Sequence, residues 1–206
     1  MVKKFIILFL LLTPIANLFH SCGCDKEPTP ASYSHKTLRL KNLDNSGKYP
    51  IESDVLQCNK NAYGIRLNLT REENIVACIN TINSIFVQST YAMKKAVCYD
   101  YVYSASDELE SIKIFTLNDF DNQHLKNSDV TNYFKVSPAF AYIQNYIHTI
   151  DYTFESDFFD ERMELLTFDL LLMNTPTTTN NQQFKVQILL SDGRILEQET
   201  AEIQLI

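Results

Sequence analysis

A chain of 206 residues with 45% hydrophobic content is long enough to bury one sizeable core and too short to divide into two, so a single domain is expected. Its 18 basic against 25 acidic residues give a formal net charge of −7, and no basic stripe interleaved with aromatics offsets it, which excludes nucleic acid as a partner. Four glycines and no tryptophan leave no Gly-rich phosphate loop, and no internal repeat is visible.

The chain opens on Lys3 and Lys4, runs apolar from Phe5 to Leu12 and on past Pro14 to Ile15 and Ala16, and then reads Leu18-Phe19-His20-Ser21-Cys22. That is the three-part plan of a signal peptide. The apolar run is about half of the roughly 20 residues a spanning helix needs, and Pro14 and Asn17 interrupt it. A small residue before Cys22 and an aliphatic Leu18 four positions before it resemble the lipobox of bacterial lipoproteins, in the loose form common among Bacteroidota proteins. The resemblance implies cleavage after Ser21 and acyl chains on Cys22, with the membrane as the partner of that lipid and the cell envelope, specifically the outer membrane, as the location. Periplasmic and surface-facing orientations both stay open. Cys24 is a competing acceptor with poorer spacing. Loss of residues 1–21 removes Lys3 and Lys4 and no acid, which moves the net charge from −7 to −9.

With Cys22 lipidated, Cys24, Cys58, Cys78 and Cys98 remain, an even set in an oxidising compartment, with three connectivities open. The preferred pairing joins Cys78 to Cys98 and Cys24 to Cys58. No Cys-x-x-Cys or grouped histidine offers a metal site, and His35, His124 and His148 are scattered without a pattern that would activate a thiol. No metal, cofactor or catalytic residue is expected.

Residues 22–35 are polar and carry Pro28 and Pro30, so they read as a tether, with the folded domain spanning 36–206. From Lys36 the pattern has period two: Thr37 to Leu43, Tyr63 to Leu69 with Ile65, Leu67 and Leu69 on one face, and Ser111 to Leu117 all alternate. Ser137-Pro138 followed by Phe140, Ile143 and Ile147 predicts a short helix over 138–148, and Asp129 to Phe134 a single turn capped by Ser128. Glu164 to Met173 is a near-continuous apolar run, the mark of a strand central in a sheet, and a Thr/Asn-rich loop follows over 174–183. Phe184 to Leu190, the turn Ser191-Asp192-Gly193-Arg194, and Ile195 onward to Ile206 predict a hairpin. Strands at short intervals with one or two helical insertions predict a mainly β fold, an antiparallel β-sandwich of immunoglobulin-like type.

The order of these features resembles a group of small Bacteroidota envelope lipoproteins carrying a domain of unknown function. The shared markers are a lipobox with Cys-x-Cys, Tyr63-Gly-Ile-Arg-Leu, Tyr91-Ala92, Cys98, Ser111-Ile-Lys-Ile, Asn118-Asp-Phe-Asp, Asp129-Val-Thr-Asn-Tyr-Phe134 and the final hairpin. They are markers of fold. The resemblance implies a lipoprotein and a β-sandwich, and no activity.

Two acidic clusters, Asp119-Phe120-Asp121-Asn122 and Asp157-Phe158-Phe159-Asp160-Glu161, lack the glycine of a calcium loop and read as solvated loops, with Phe158-Phe159 buried at a loop edge. Tyr99, Tyr101 and Tyr103 alternate, so on a strand they share a face. Cross-strand aromatic packing accounts for them, and the functional alternative is a tyrosine platform for a glycan or a protein. No nucleophile elbow, Walker loop or His-Glu-x-x-His is present. The expected function is therefore that of a non-enzymatic, lipid-anchored module binding a protein or glycan. A structural or accessory lipoprotein of an envelope assembly is the alternative, and a hydrolase is third.

Overall fold

In a computed structural model of the chain, the described residues are 28–74, 100–156, 165–178 and 181–206. The signal segment, Cys22, Cys24, Cys78, Cys98, Tyr99 and the acidic run 157–161 with Phe158 and Phe159 lie outside them.

The fold is mainly β. One large sheet holds β1 (Thr29–Asp44), β4 (Tyr63–Asn74), β5 (Tyr101–Ala105), β7 (Phe134–Ser137), β8 (Ala141–Tyr142), β9 (Thr153–Ser156) and β10 (Leu165–Leu172), in the order β8-β7-β10-β4-β1-β5-β9, and β2 (Ile51–Glu52) pairs with the end of β1. A second sheet is β12-β11-β6, formed by β6 (Leu109–Thr116), β11 (Phe184–Leu190) and β12 (Ile195–Glu199). The short strands β3 (Gln57–Cys58) and β13 (Gln204–Leu205) pair with each other.

The expectation of an antiparallel architecture is corrected at two places. β1 runs parallel to β5, and β3 parallel to β13. Alternation determines which face a strand buries, but neither its neighbour nor its direction. A second correction concerns the tether: β1 begins at Thr29, and Tyr33 and His35 within it are fully buried, so residues 29–35 belong to the domain.

One core joins the sheets. Leu38 of β1, Ile65, Leu67 and Leu69 of β4, Ile112 and Ile114 of β6, Phe168 and Leu170 of β10, and Val186, Ile188 and Leu190 of β11 meet in a single apolar cluster. Each such side chain contributes roughly 1.5–3 kcal/mol by burial. β10 lies between β7 and β4, the central place its apolar run predicted. Gly64 sits where β4 and β10 come closest: a Cβ there would stand 2.8 Å from the Leu170 carbonyl oxygen. On the face of β4 opposite Ile65, Leu67 and Leu69, Arg66 donates to both carboxylate oxygens of its cross-strand partner Asp169, at 2.7 and 2.8 Å.

The C-terminal hairpin forms between β11 and β12, with Gly193 at φ +85° and the Leu190 amide donating to the Arg194 carbonyl, but its second arm ends at Glu199, and Gln204–Leu205 pairs with β3 instead. The predicted helix is shorter than expected. Its start, Pro138 to Phe140, is a turn with Phe140 exposed at φ +50°, Ala141–Tyr142 is β8, and only α1 (Ile143–Ile147) is helical, burying Ile143 and Ile147. The proline lies at a turn following a cis Ser137–Pro138 bond instead of at a helix start. The turn near Asp129 is a 3₁₀ turn at Thr131–Tyr133, and the side chain that serves it is Asp129, accepting from the Thr131 amide at 2.9 Å, not Ser128.

Candidate functional site

Three polar features stand out among the described residues. The first is buried. At the β-bulge between His35 and Leu38, no strand among the described residues pairs with the edge of β1 that faces away from β4. The Asp107 carboxylate fills that place, accepting from the His35 amide at 2.9 and 3.0 Å, while Arg194 donates to the His35 carbonyl at 2.9 Å and to Asp107. A side-chain ion pair thus completes the main-chain hydrogen bonding that a neighbouring strand would supply. The hairpin turn is fastened to the same spot: the Ser191 amide donates to the Glu108 carbonyl at 2.8 Å, and Asp192 holds Arg194 Nε at 2.6 Å.

The His35 ring belongs to this cluster. Its Nδ1 faces two acceptors, the Asp107 carbonyl at 2.8 Å and a carboxylate oxygen at 3.1 Å, so the neutral ring carries its proton there. Nε2 is buried with no hydrogen-bond partner among the described residues, and the ring meets those of Tyr33 and Tyr152 edge to face. Burial therefore drives the ring below its ordinary pKa against the pull of Asp107. The cluster is structural: apart from His35 Nε2, its polar groups bond to one another and to main chain.

The second feature is a recess of about 300 Å³ lined by residues that include Glu108, His148, Asp151 and Tyr152. Asp151 is occupied, accepting from the Thr153 amide and hydroxyl, which hold its carboxyl below the usual range. No group of three metal-ligating side chains occurs among the described residues.

The third is an open groove of about 570 Å³ lined by Asn132, Tyr133, Tyr142, Gln144, Asn145 and Asn174. Its volume is in the range of ligand sites, and all six side chains are uncharged. The loop before it is well tied. Phe120 is fully buried, and the Asp121 carboxylate accepts from the amides of Gln123 and His124 and from His124 Nδ1 at 2.9 Å. Burial works against the Asp121 charge, but these bonds outweigh it and hold the carboxyl below its usual range. His124 in turn packs edge-on against the Tyr133 ring at 4.9 Å, with the Tyr133 hydroxyl 3.3 Å from Nδ1. Tyr142 is half exposed, held through β8 beside β7 with the Lys135 ammonium 4.9 Å from its ring centre. Gln144 donates to the Glu110 carbonyl at 3.0 Å.

Of the three tyrosines read from the sequence as a platform, Tyr99 lies outside the described residues and the other two differ in exposure. Tyr103 is 1% exposed, stacked at 5.1 Å on Phe154 of β9, its cross-strand partner, with its hydroxyl donating to Glu73. Tyr101 is 37% exposed beside it. Phe154 also packs on Tyr33, over which the Arg71 guanidinium lies, so these aromatics hold β9, β5 and β1 together. Cys58, expected in a disulfide, is a free buried thiol whose Sγ lies 3.5 Å from the Asn59 carbonyl, and burial raises its pKa. Among the described residues no helix is long and apolar enough to cross a membrane.

Fold and site together define a mainly β domain with a curled mixed sheet, a buried His–Asp–Arg fastening and an uncharged groove at one end. The chain belongs to the family described as Domain of unknown function (DUF5034), whose model matches residues 35–201 and so spans both the fastening and the groove. No curated protein and no solved structure matches it significantly.

Proposed function

We propose that this protein is an envelope lipoprotein, held to the outer membrane by lipid on Cys22, whose domain is a non-enzymatic binding module with an immunoglobulin-like sandwich as its architectural kin. The observation that carries the binding reading is the place of the groove. Leu43 near the end of β1 pairs with Gly64, Gly64 pairs with Leu171, and Leu172 pairs with Phe134, so Asn132, Tyr133 and Asn174 lie at the end of the large sheet opposite Thr29. From Thr29 to Leu43 the strand covers roughly 40–50 Å. Six residues separate Cys22 from Thr29, a reach of at most about 25 Å. A lipid on Cys22 therefore keeps the Thr29 end near the membrane and turns the groove away from it.

The anchor is tested by metabolic labelling with an alkyne palmitate analogue. The expected outcome is label on the wild-type chain, none on Cys22→Ala, and release of the variant from the membrane fraction. A Cys22→Ala chain that still labels and stays in that fraction refutes the anchor.

A further inference from the structure

We infer that the groove formed by Asn132, Tyr133, Tyr142, Gln144, Asn145 and Asn174 binds an uncharged oligosaccharide. The inference rests on the reading of the protein as a binding module and names the ligand class. Four of the six lining side chains are amides, and each amide presents both a donor and an acceptor on one planar group. A sugar hydroxyl is likewise donor and acceptor, so a row of amides reads a row of hydroxyls without leaving either partner unsatisfied. The other two are tyrosines, whose ring faces carry the negative side of an aromatic quadrupole and suit the polarised C–H face of a pyranose.

Geometry supports the same ligand. The groove is open and lies across three separate pieces of chain, the 3₁₀ turn at Thr131–Tyr133, the β8–α1 corner and the segment after β10, which suits an extended chain entering from either side. Tyr133 is pre-set by His124 and Phe120, at ring-centre distances of 4.9 and 5.5 Å, so little ordering remains to be done on binding. None of the six lining side chains is charged, the Lys135 ammonium is engaged over the Tyr142 ring at 4.9 Å, and the chain as a whole is acidic, which disfavours uronate, sulfate or phosphate groups. Asn132, Tyr142, Gln144, Asn145 and Asn174 are all exposed, as direct readers of a ligand must be.

The test uses the full-length protein in detergent on an array of neutral glucan, mannan, xylan and galactan oligosaccharides beside uronate-bearing and sulfated ones, followed by titration with the best neutral hit. The expected result is binding to a neutral oligosaccharide that changes little between about 0.05 and 0.5 M NaCl. Tyr142→Ala should weaken it about tenfold or more and Asn174→Ala about three- to tenfold, with thermal unfolding unchanged since both side chains are exposed, and Tyr142→Phe should retain it. Binding confined to anionic glycans overturns the inference, as does neutral binding that survives in the Tyr142→Ala/Asn174→Ala double variant. A photo-crosslinking residue at position 142 separates the two levels. If no glycan binds but position 142 captures an envelope protein in cells, the glycan ligand is wrong and the binding module stands. If neither occurs, both fall.

Discussion

Asp107 ties three parts of the fold together, the β1 bulge, the start of β6 and the C-terminal hairpin turn. Its carboxylate is 1% exposed and replaces a strand at the β1 bulge, accepting from the His35 amide, the His35 ring and Arg194. Removing one partner of such a buried set leaves the others desolvated and unpaired, which is why the loss is large. Asp107→Ala is expected to cost about 3 kcal/mol or more in denaturant unfolding. Arg194→Ala should cost clearly less, because the guanidinium is 42% exposed and water replaces part of what it loses. Equal losses for the two would refute the assignment. The His35 ring adds a pH dependence of definite sign. Its folded pKa lies below the ordinary 6.5, chiefly through burial, so over the interval between the two the unfolded chain binds more protons than the folded one. The stability it gives is complete above 6.5 and is lost as pH falls through the folded pKa. A single proton limits the slope to about 1.4 kcal/mol per pH unit. Unfolding titrations between about pH 7.5 and 5 should show this fall in the wild type and a flatter profile in His35→Gln, and an identical slope in both would remove His35 from the account.

At the scale of elements, the approach of β4 to β10 depends on one residue without a side chain. A Cβ on Gly64 would meet the Leu170 carbonyl oxygen at 2.8 Å and a Leu171 methyl at 3.0 Å, and the first of these is main chain that cannot swing aside. Gly64→Ala should therefore cost about 1–3 kcal/mol by overpacking and slow nothing in the groove, measurable as a lowered denaturant midpoint. A neutral result would mean that the two strands separate freely. The strands themselves were legible. Alternation in Tyr63 to Leu69, Ser111 to Leu117 and Phe184 to Leu190 named the buried faces, and Asp192-Gly193 named the hairpin, because period and turn chemistry are local. The parallel partner of β1 was not legible, since pairing partners are set by topology. Nor was the His35–Asp107–Arg194 set, whose members are 72 and 87 positions apart and carry no spacing signal of their own. The groove was missed for the same reason: its residues come from 132–145 and from 174. The alternation was a true strand signal at Tyr101 and Tyr103, which lie in β5, but Tyr103 is covered by Phe154. Proline at 138 misled in the other direction, suggesting a helix start where the chain makes a turn.

Across the whole molecule, the C-terminal residues close the end of the domain at which β1 finishes. β13 lies parallel to β3, the Gln204 amide donates to the Leu56 carbonyl at 2.8 Å, the Ile206 amide to the Cys58 carbonyl at 3.0 Å, and the Lys60 amide to the Ile206 carbonyl at 3.0 Å. Ile203 and Leu205 join the common core beside Cys58, which is 4% exposed. The thiol is therefore shielded by a segment distant in sequence, and its raised pKa leaves little reactive thiolate near neutrality. In the folded full-length protein Cys58 should resist alkylation by a maleimide, read by peptide mass mapping, and react once the chain is unfolded. Deleting Gln204 to Ile206 strips the three hydrogen bonds and the Leu205 side chain at once, so the Cys58 reaction should speed at least about tenfold while global stability falls by about 1–3 kcal/mol. Fast labelling of Cys58 in the intact protein would show instead that the β3–β13 pair opens readily, and that the end of the domain bearing the groove is not held shut by its C-terminus.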